Sequence, residues 1–359
     1  MAYTYALEPS AMFEDRAHQI AAFGIPAGDI SSLRASIKEM WANAPGGWVY
    51  EWSRLASRYS TEGNHYLAAM AYGWAKFPCL ANEARSNALA MQVKEYVVAS
   101  AHFPVQFERR IINISHGDKT TGIALHLLGG PKNRADAPVL VASGGVDTWK
   151  MDTHPLFVAL AKATGLTVLA FDHPGTGETQ LPLDAEADEV VRNIVREARA
   201  LGNGQVAHFG MSFGGNFSAM TGLSGAVDAA INLGGPVDAA FNDSNLAQLP
   251  YGMKDILGNA FGFDQQPGLP EITKRASVLS RRRLLQQESN ATMLVINGED
   301  DYFVPQADTL IFKARPDTEV HLIPGTGHCA ISRMGEVMPI MIRWIQKWAA
   351  SNGAQGNQS

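Results

Sequence analysis

Cysteine is nearly absent from this chain. Cys79 and Cys329 are the only cysteines among the 359 residues, too few for a disulfide framework, and their spacing fits no metal-binding motif. A disulfide-rich secreted protein is therefore excluded, and a reducing compartment, the cytoplasm, is the expected location. Residues 1–19 also lack a charged segment followed by an apolar core, so we expect neither a signal peptide nor a membrane anchor there.

Long apolar runs and clusters of basic residues are missing as well. No run approaches the ~18 apolar residues of a membrane-spanning helix, so we expect no membrane association. The 29 Lys and Arg residues against 35 Asp and Glu residues give a formal net charge of −6. Without a basic cluster, nucleic acid is not an expected partner, and the net charge gives no attraction to anionic membranes. With 46% hydrophobic and 18% charged residues, the composition instead fits a globular protein with a sizeable core.

Residues 1–104 are predicted to form an all-helical N-terminal cap, because their apolar residues recur every three or four positions. One helix is expected to begin after Asp29, with Ser31 and Ser32 as candidate caps. Two roles are open for the tryptophans of this part: filling helix–helix contacts, or lining a pocket for an aromatic or apolar substrate. They are four of the seven in the chain: Trp41, Trp48, Trp52 and Trp74.

Residues 105–350 are predicted to form an α/β catalytic domain. Two strands, within 105–114 and 122–130, are expected to flank a turn at Gly117–Asp118. Further apolar runs then alternate with helical patterns, and they lie at 138–145, 167–175, 206–212, 229–235, 292–300 and 319–327. Continuous apolar runs are typical of strands buried on both faces, so the alternation predicts a doubly wound, mostly parallel sheet.

Two other segments fall outside this alternation. Residues 236–290 are longer than one crossover between strands requires, so they are predicted to form a helical insertion near the strand ends, where active sites of such sheets lie. Residues 351–359, SNGAQGNQS, are polar and glycine-containing, and they are predicted to be a disordered tail.

The segment Gly210–Gly214 fits the G-x-S-x-G motif, with Ser212 at its centre. An apolar strand pattern precedes the motif and a helical pattern follows it. A sharp strand-to-helix turn would hold the serine in a strained elbow with its Oγ exposed, which predicts Ser212 as a catalytic nucleophile. The alternative is a glycine-rich turn in which the serine is passive.

A serine nucleophile needs a base, and the base needs a carboxylate to orient it. His328 lies in a glycine-rich loop after the last strand, whereas His321 lies within that strand and is expected to be structural. Asp300 and Asp301 both follow the preceding strand. We favour Asp301 because the segment 298–305 then matches the loop pattern G-x-x-D-x-x-V-P. The order Ser, Asp, His is that of α/β-hydrolases.

Backbone amides are expected to form the oxyanion hole of such an enzyme. One donor is the N–H of Phe213, the residue after the nucleophile. The other is assigned to Val146, with Gly145 as the alternative, because both follow the strand at 138–143. No metal and no organic cofactor is needed for this chemistry.

The loop FDHPGTGET contains Gly175-Thr176-Gly177, which hints at a dinucleotide-binding loop. A dinucleotide fingerprint follows the first strand and has a third glycine where this chain has Gln180, so no nucleotide is expected. The loop is instead expected to form a tight turn at the rim of the site. His173 and Glu178 could reach a substrate from there, but we expect them to face solvent. Cys329, beside His328, is interpreted as a small packing residue.

Several of these segments together resemble the FrsA-like branch of the α/β-hydrolases, which includes fungal polyketide-shortening pigment hydrolases and 2,6-dihydroxypseudooxynicotine hydrolase. The resemblance covers roughly residues 30 to 349. It is carried by GGVDTWKMD, DHPGTGET, GMSFGGN, NGEDDYFVP and GTGHCA, behind a helical N-terminal part. GGVDTWK and PGTGE are its more branch-specific loops, whereas the triad motifs belong to the whole superfamily.

The resemblance implies a helical cap over the site, a homodimer, and hydrolysis of a C–C bond next to a carbonyl. An additional acid assists C–C cleavage in one relative, and Asp238 or Asp243 could correspond to it, but we assign neither. We therefore expect a serine hydrolase that cleaves a small carbonyl substrate, aromatic or polyketide-like, at a C–C bond or an ester or lactone. The alternative is a non-catalytic ligand-binding or regulatory protein on a hydrolase fold.

Overall fold

A computed structural model describes residues 2–116, 119–129 and 134–353. The turn expected at Gly117–Asp118 lies outside the described residues. The last helix continues to Gly353, three residues into the segment predicted as a tail. The Ser351 hydroxyl donates to the Trp348 carbonyl at 2.8 Å. The rest of the predicted tail, 354–359, lies outside the described residues.

The N-terminal part is helical, as predicted. Its helices are α1 (Pro9–Asp15), α2 (Ala17–Ala22), α3 (Ala27–Ser36), α4 (Trp48–Thr61), α5 (His65–Lys76) and α6 (Glu83–Ala99). The expected start of α3 was wrong, because this helix begins directly after Pro26. Ser31 and Ser32 are not caps but lie inside α3, where their hydroxyls bond to carbonyls four residues earlier.

The tryptophans Trp48, Trp52 and Trp74 fill contacts among these helices. All three side chains are buried, and the Trp52 ring centroid lies 6.0 Å from those of Trp48 and Trp74. Trp41 is only partly buried and packs edge-on against Tyr5. The structure therefore supports the packing role for Trp48, Trp52 and Trp74.

An eight-stranded sheet follows, with strand order β1-β2-β4-β3-β5-β6-β7-β8. Its strands are β1 (Phe107–His116), β2 (Lys119–Leu128), β3 (Val139–Ser143), β4 (Thr167–Phe171), β5 (Val206–Met211), β6 (Ala229–Leu233), β7 (Thr292–Gly298) and β8 (Thr318–Ile323). The pairs β1–β2 and β2–β4 are antiparallel and the others parallel, which confirms the mostly parallel sheet.

Helices cover both faces of the sheet. They are α7 (His154–Thr164), α8 (Ala187–Leu201), α9 (Phe213–Leu223), α14 (Gln306–Leu310) and α15 (Met334–Gly353). Alternate residues of β3 point to opposite faces, so Val141 packs with α8 and α9 while Leu140 packs with α7 and α15. The β5 residues 206–211 are buried throughout, because they face helices on both sides.

The stretch between β6 and β7 contains four helices, α10 (Asp243–Gln248), α11 (Met253–Ala260), α12 (Leu269–Ser277) and α13 (Arg282–Leu285). An extended N-terminal segment, residues 2–8, reaches this insertion. The Tyr3 hydroxyl donates to Asp255, and the Tyr3 backbone N–H donates to the Asn259 side chain, both at 3.2 Å. The first residues of the chain therefore hold α11 in place. The predicted domain division at residue 104 stays a prediction.

Candidate active site

Ser212 occupies a strained turn between β5 and α9. Its φ of 54° and ψ of −127° lie in a region that non-glycine residues rarely adopt, at a cost of about 1–3 kcal/mol. Two backbone hydrogen bonds of 2.8 Å hold the turn: Ser212 N–H donates to the Leu233 carbonyl, and Gly215 N–H donates to the Ser212 carbonyl. The predicted elbow is therefore present.

The motif's two flanking glycines are required by close approach of the backbone. A Cβ at Gly210 would lie 2.0 Å from the Gly214 carbonyl oxygen, and a Cβ at Gly214 would lie 2.4 Å from the Gly144 carbonyl oxygen. Side chains at either position would force β5, α9 and the loop after β3 apart. The elbow thus packs tightly against the loop expected to bind the oxyanion.

Ser212, His328 and Asp301 lie together in the structure. His328 Nε2 is 2.8 Å from Ser212 Oγ, and His328 Nδ1 is 2.7 Å from Asp301 Oδ2. Asp300 is exposed to solvent, whereas the Asp301 side chain is fully buried. Of the two candidate carboxylates, the one in contact with the histidine is therefore Asp301.

The Asp301 carboxylate accepts four hydrogen bonds. Oδ1 accepts from the backbone N–H groups of Phe303 and Val304, and Oδ2 accepts from the Asn297 side chain as well as facing His328. Burial opposes ionisation, but His328 and these hydrogen bonds outweigh burial and lower the pKa of Asp301. The carboxylate is therefore ionised at neutral pH.

The surroundings of the His328 ring have opposing effects on its pKa. Burial disfavours the charged ring, but Cys329 and Asp301 favour it, and the pKa of His328 is raised above its ordinary value. Cys329 itself is buried, with its Sγ 3.3 Å from the Leu233 carbonyl oxygen, which agrees with a packing role. His321 lies in β8, where its ring contacts the Glu319 carboxylate.

Asn297, at the end of β7, joins the loops that carry the acid and the base. Its Nδ2 donates to Asp301 Oδ2 at 2.8 Å, and its Oδ1 accepts from the backbone N–H of Cys329 at 3.0 Å. The Asn297 side chain is fully buried. Sequence reasoning missed this residue, although an amide within an otherwise apolar strand was the available signal.

The backbone amide of Gly145 is already engaged, because it donates to the Thr148 carbonyl at 2.8 Å. Val146 and Phe213 both line a small cavity of about 50 Å³ beside Ser212 and His328. Most of the other lining residues are apolar and come from the insertion and the loop after β7, among them Phe241, Leu246, Leu257 and Phe303. The space next to the serine is therefore small and apolar.

The GGVDTWK and PGTGE loops are tied together by a buried lysine. Lys150 Nζ lies 2.5 Å from Asp172 and 2.8 Å from Glu178, and burial of the lysine is outweighed by these carboxylates, which raise its pKa. The solvent-facing roles expected for His173 and Glu178 were wrong. His173 is buried, burial lowers its pKa to about 4, and Glu178 is partly buried because it pairs with Lys150.

The N-terminal helices reach the site through the junction of α1 and α2. Arg16 lies 2.7 Å from Asp147, the residue after Val146. Asp15 accepts a hydrogen bond of 2.7 Å from the Tyr302 hydroxyl, next to Asp301. The loop after β3 and the loop after β7 therefore both contact the junction at Asp15 and Arg16.

Within residues 2–116, 119–129 and 134–353, no group of three or more His, Cys, Asp or Glu side chains is placed to hold a metal ion. Among the same residues, no helix is both long and apolar enough to cross a membrane.

The fold and the elbow define the class: this is an enzyme of the α/β-hydrolase superfamily. The sequence profile of a family described as "Esterase FrsA-like" matches residues 39–346. The chain therefore belongs to the FrsA-like esterase family, which confirms the resemblance inferred from its motifs. It is 24% identical over 300 residues to "Esterase FrsA" of Yersinia pestis (strain Pestoides F), covering 78% of this chain and 72% of that protein.

Solved structures are similar over nearly the whole chain. AbyA5 matches with a TM-score of 0.75 and 17% identity, covering 89% of this chain and 94% of that one. The 2,6-dihydroxy-pseudo-oxynicotine hydrolase matches with a TM-score of 0.72 and 19% identity, covering 93% and 96%. At these identities the likeness shows the fold alone, and it confirms the α/β-hydrolase architecture.

Proposed function

We propose that this esterase-family enzyme works by a Ser212–His328–Asp301 catalytic triad. The observation that carries the proposal is the chain of short contacts from Asp301 to the His328 ring and on to Ser212 Oγ, at 2.7 and 2.8 Å. These contacts suit removal of the serine proton by His328, while Asp301 fixes the ring orientation and stabilises the imidazolium.

In the first half-reaction, Ser212 Oγ attacks the substrate carbonyl carbon and its proton passes to His328 Nε2. The tetrahedral intermediate collapses as His328 returns that proton to the leaving group, an alkoxide for an ester or a carbanion for a C–C bond. Water then attacks the acyl-enzyme, giving one proton to His328. The acid is released, and the proton returns to Ser212 Oγ.

The oxyanion of each tetrahedral intermediate is proposed to bind the backbone N–H groups of Phe213 and Val146. The engagement of the Gly145 amide with Thr148 favours Val146 over Gly145. Preorganised amides of this kind are worth about 3–4 kcal/mol each in transition-state stabilisation.

The proposed substrate is an aromatic or polyketide-like carbonyl compound, cleaved at a C–C bond next to a ketone or at an ester or lactone. The apolar cavity beside Ser212 supports an apolar fragment next to the carbonyl. Asp238 pairs with Arg282, and Asp243 accepts from Thr273, so both candidate assisting acids have partners within the insertion. We leave both outside the catalytic set.

A non-catalytic ligand-binding role is the weaker alternative, because such a protein would not need the strained serine in contact with a histidine. The cytoplasmic location and the homodimer stay predictions.

The test is product analysis by mass spectrometry with a matched aryl acetate and aryl β-diketone. Wild type, Ser212→Ala and the control Ser224→Ala, near the far end of α9, are compared. Splitting of the diketone into an acid and a ketone by wild type and control alone supports C–C hydrolysis. Cleavage of the ester alone supports an esterase or lactonase, and equal turnover by Ser212→Ala overturns the proposal.

A further inference from the structure

A second, larger cavity lies on the other side of Val146. This outer cleft has a volume of about 700 Å³. It is lined mainly by residues 79–86, the loop at 175–182, and α11 with the residues after it, and also by Ala2, Val146 and Trp149. That volume suits a small organic molecule, since such sites span about 300–1,000 Å³. The outer cleft is therefore large enough for most of a drug-sized substrate, whereas the cavity at Ser212 is not.

The outer cleft and the serine cavity share one wall. Val146 lines both cavities, and neighbouring residues of α11 divide between them, Ile256 facing the outer cleft and Leu257 the serine cavity. Val146 and helix α11 therefore lie between the outer cleft and the serine cavity. A molecule held in the outer cleft therefore contacts Val146, the residue whose amide is assigned to the oxyanion hole.

The wall of the outer cleft combines apolar and polar residues and includes one unsatisfied hydroxyl. Ala81, Trp149 and Ile256 are buried apolar lining residues. Thr179 is also buried, and its Oγ1 has no hydrogen-bond partner within the described part of the chain. A buried hydroxyl normally has a partner, so a ligand group that accepts or donates a hydrogen bond would complete the site.

The rim of the outer cleft is acidic. Glu83 and Asp264 line it and are exposed, and among the described residues that line the cleft there is no lysine or arginine. A ligand carboxylate or phosphate would find no countercharge there, whereas a neutral polar group or an ammonium group would be tolerated or attracted.

We propose that the outer cleft binds the larger fragment of the substrate, while a short apolar acyl group occupies the cavity at Ser212. The structure assigns that larger fragment to neutral or cationic compounds with an apolar body and a hydrogen-bonding group facing Thr179. This inference rests on the proposed hydrolysis of carbonyl substrates, because the two fragments are the parts of the substrate on either side of the bond that Ser212 would cleave.

The test compares phenyl acetate with para-extended phenyl acetates whose extensions end in a dimethylamide, a trimethylammonium or a carboxylate group. We expect the amide and ammonium esters to exceed phenyl acetate in kcat/KM by about tenfold, chiefly through a lower KM. The carboxylate ester should fall about tenfold below its amide twin. Equal values for all four esters would overturn the proposal.

Cleft variants make the test specific. Ala81→Trp fills the cleft, so kcat/KM for the extended esters should fall towards that for phenyl acetate. Thr179→Val removes the hydroxyl, so KM for the amide ester should rise severalfold. Glu83→Gln with Asp264→Asn should remove the preference for the ammonium over the carboxylate ester. The control pair, Glu62→Gln with Glu288→Gln, removes the same charge from exposed sites elsewhere and should keep that preference.

These measurements distinguish a failure of the proposed Ser212 hydrolysis from a failure of the outer-cleft assignment. If no acetate is hydrolysed in a Ser212-dependent way, the proposed function is wrong. If phenyl acetate is hydrolysed by Ser212 while the cleft variants leave the ester ratios unchanged, only the outer cleft is wrongly assigned.

Discussion

The guanidinium of Arg16 lies 2.7 Å from the carboxylate of Asp147, and both side chains are buried. The pair joins the N-terminal helices to the loop that carries Val146. Burial disfavours the guanidinium charge, but Asp147 and Asp15 outweigh burial and raise the pKa of Arg16. The N-terminal helices therefore contact the loop that carries Val146 through a buried charged pair.

Arg16→Met should destabilise the protein and slow turnover. Removing one partner of a buried ion pair leaves the Asp147 charge uncompensated, which costs about 3–5 kcal/mol. Urea unfolding should show this loss, and kcat should fall more than KM rises, because the oxyanion loop is less well held. The double variant Arg16→Met with Asp147→Leu should recover stability; a double variant as unstable as the single one would contradict the ion-pair account.

Asn297→Leu should lower kcat by about tenfold, since one hydrogen bond to a buried charged group is worth about 1.5–3 kcal/mol and part of that loss falls on the triad. The leucine removes the bond to Asp301 and the bond from Cys329 at the same time. Steady-state kinetics on an aryl acetate measure the effect. An unchanged kcat with a stably folded variant would show that Asn297 does not position the acid and the base.

The pH dependence of kcat/KM should report the ionisation of His328. Only the neutral ring accepts the Ser212 proton, so activity should rise with pH through the pKa of His328. Because that pKa is raised, the midpoint should lie above the ordinary value of 6.5. Asp301→Asn removes one of the two groups that raise the pKa of His328, so the midpoint should move to lower pH while kcat falls by about 10⁴-fold. A midpoint that stays fixed in this variant would assign the titration to another group.

Lys150→Met should cost about 3–5 kcal/mol of folding free energy, because Asp172 would lose its buried partner. Lys162→Met, at an exposed position of α7, is the matched control and should change stability by less than about 0.5 kcal/mol. Thermal unfolding of both variants measures the difference in their stability. Equal melting temperatures would show that the link between the two loops carries no stability.

The sequence predicted the sheet well, because its buried strands are continuous apolar runs bounded by glycine-rich turns. Ser212, Asp301 and His328 follow different strands in the sequence, and they lie in contact in the structure because strand ends of a parallel sheet meet at one edge. The recurrence of apolar residues every three or four positions predicted the helical N-terminal part, and the family resemblance added the branch to which the chain belongs.

Other features depend on contacts that are distant in sequence. The solvent-facing prediction for Glu178 failed because its partner Lys150 lies on another loop, and no local pattern reveals that pair. Asn297 was missed for a similar reason: its two partners lie on separate loops. The start of α3 was misplaced because serines can bond inside a helix as well as cap it.

The proposed triad makes Ser212 an activated nucleophile. The most direct measurement is intact-mass and peptide analysis after treatment with a fluorophosphonate, in which a serine Oγ displaces fluoride and forms a covalent phosphonyl ester. We expect one adduct per chain, on the peptide that contains Ser212, and strongly slowed labelling in His328→Ala. An unlabelled wild-type protein, or an adduct on a different residue, would contradict the proposed triad.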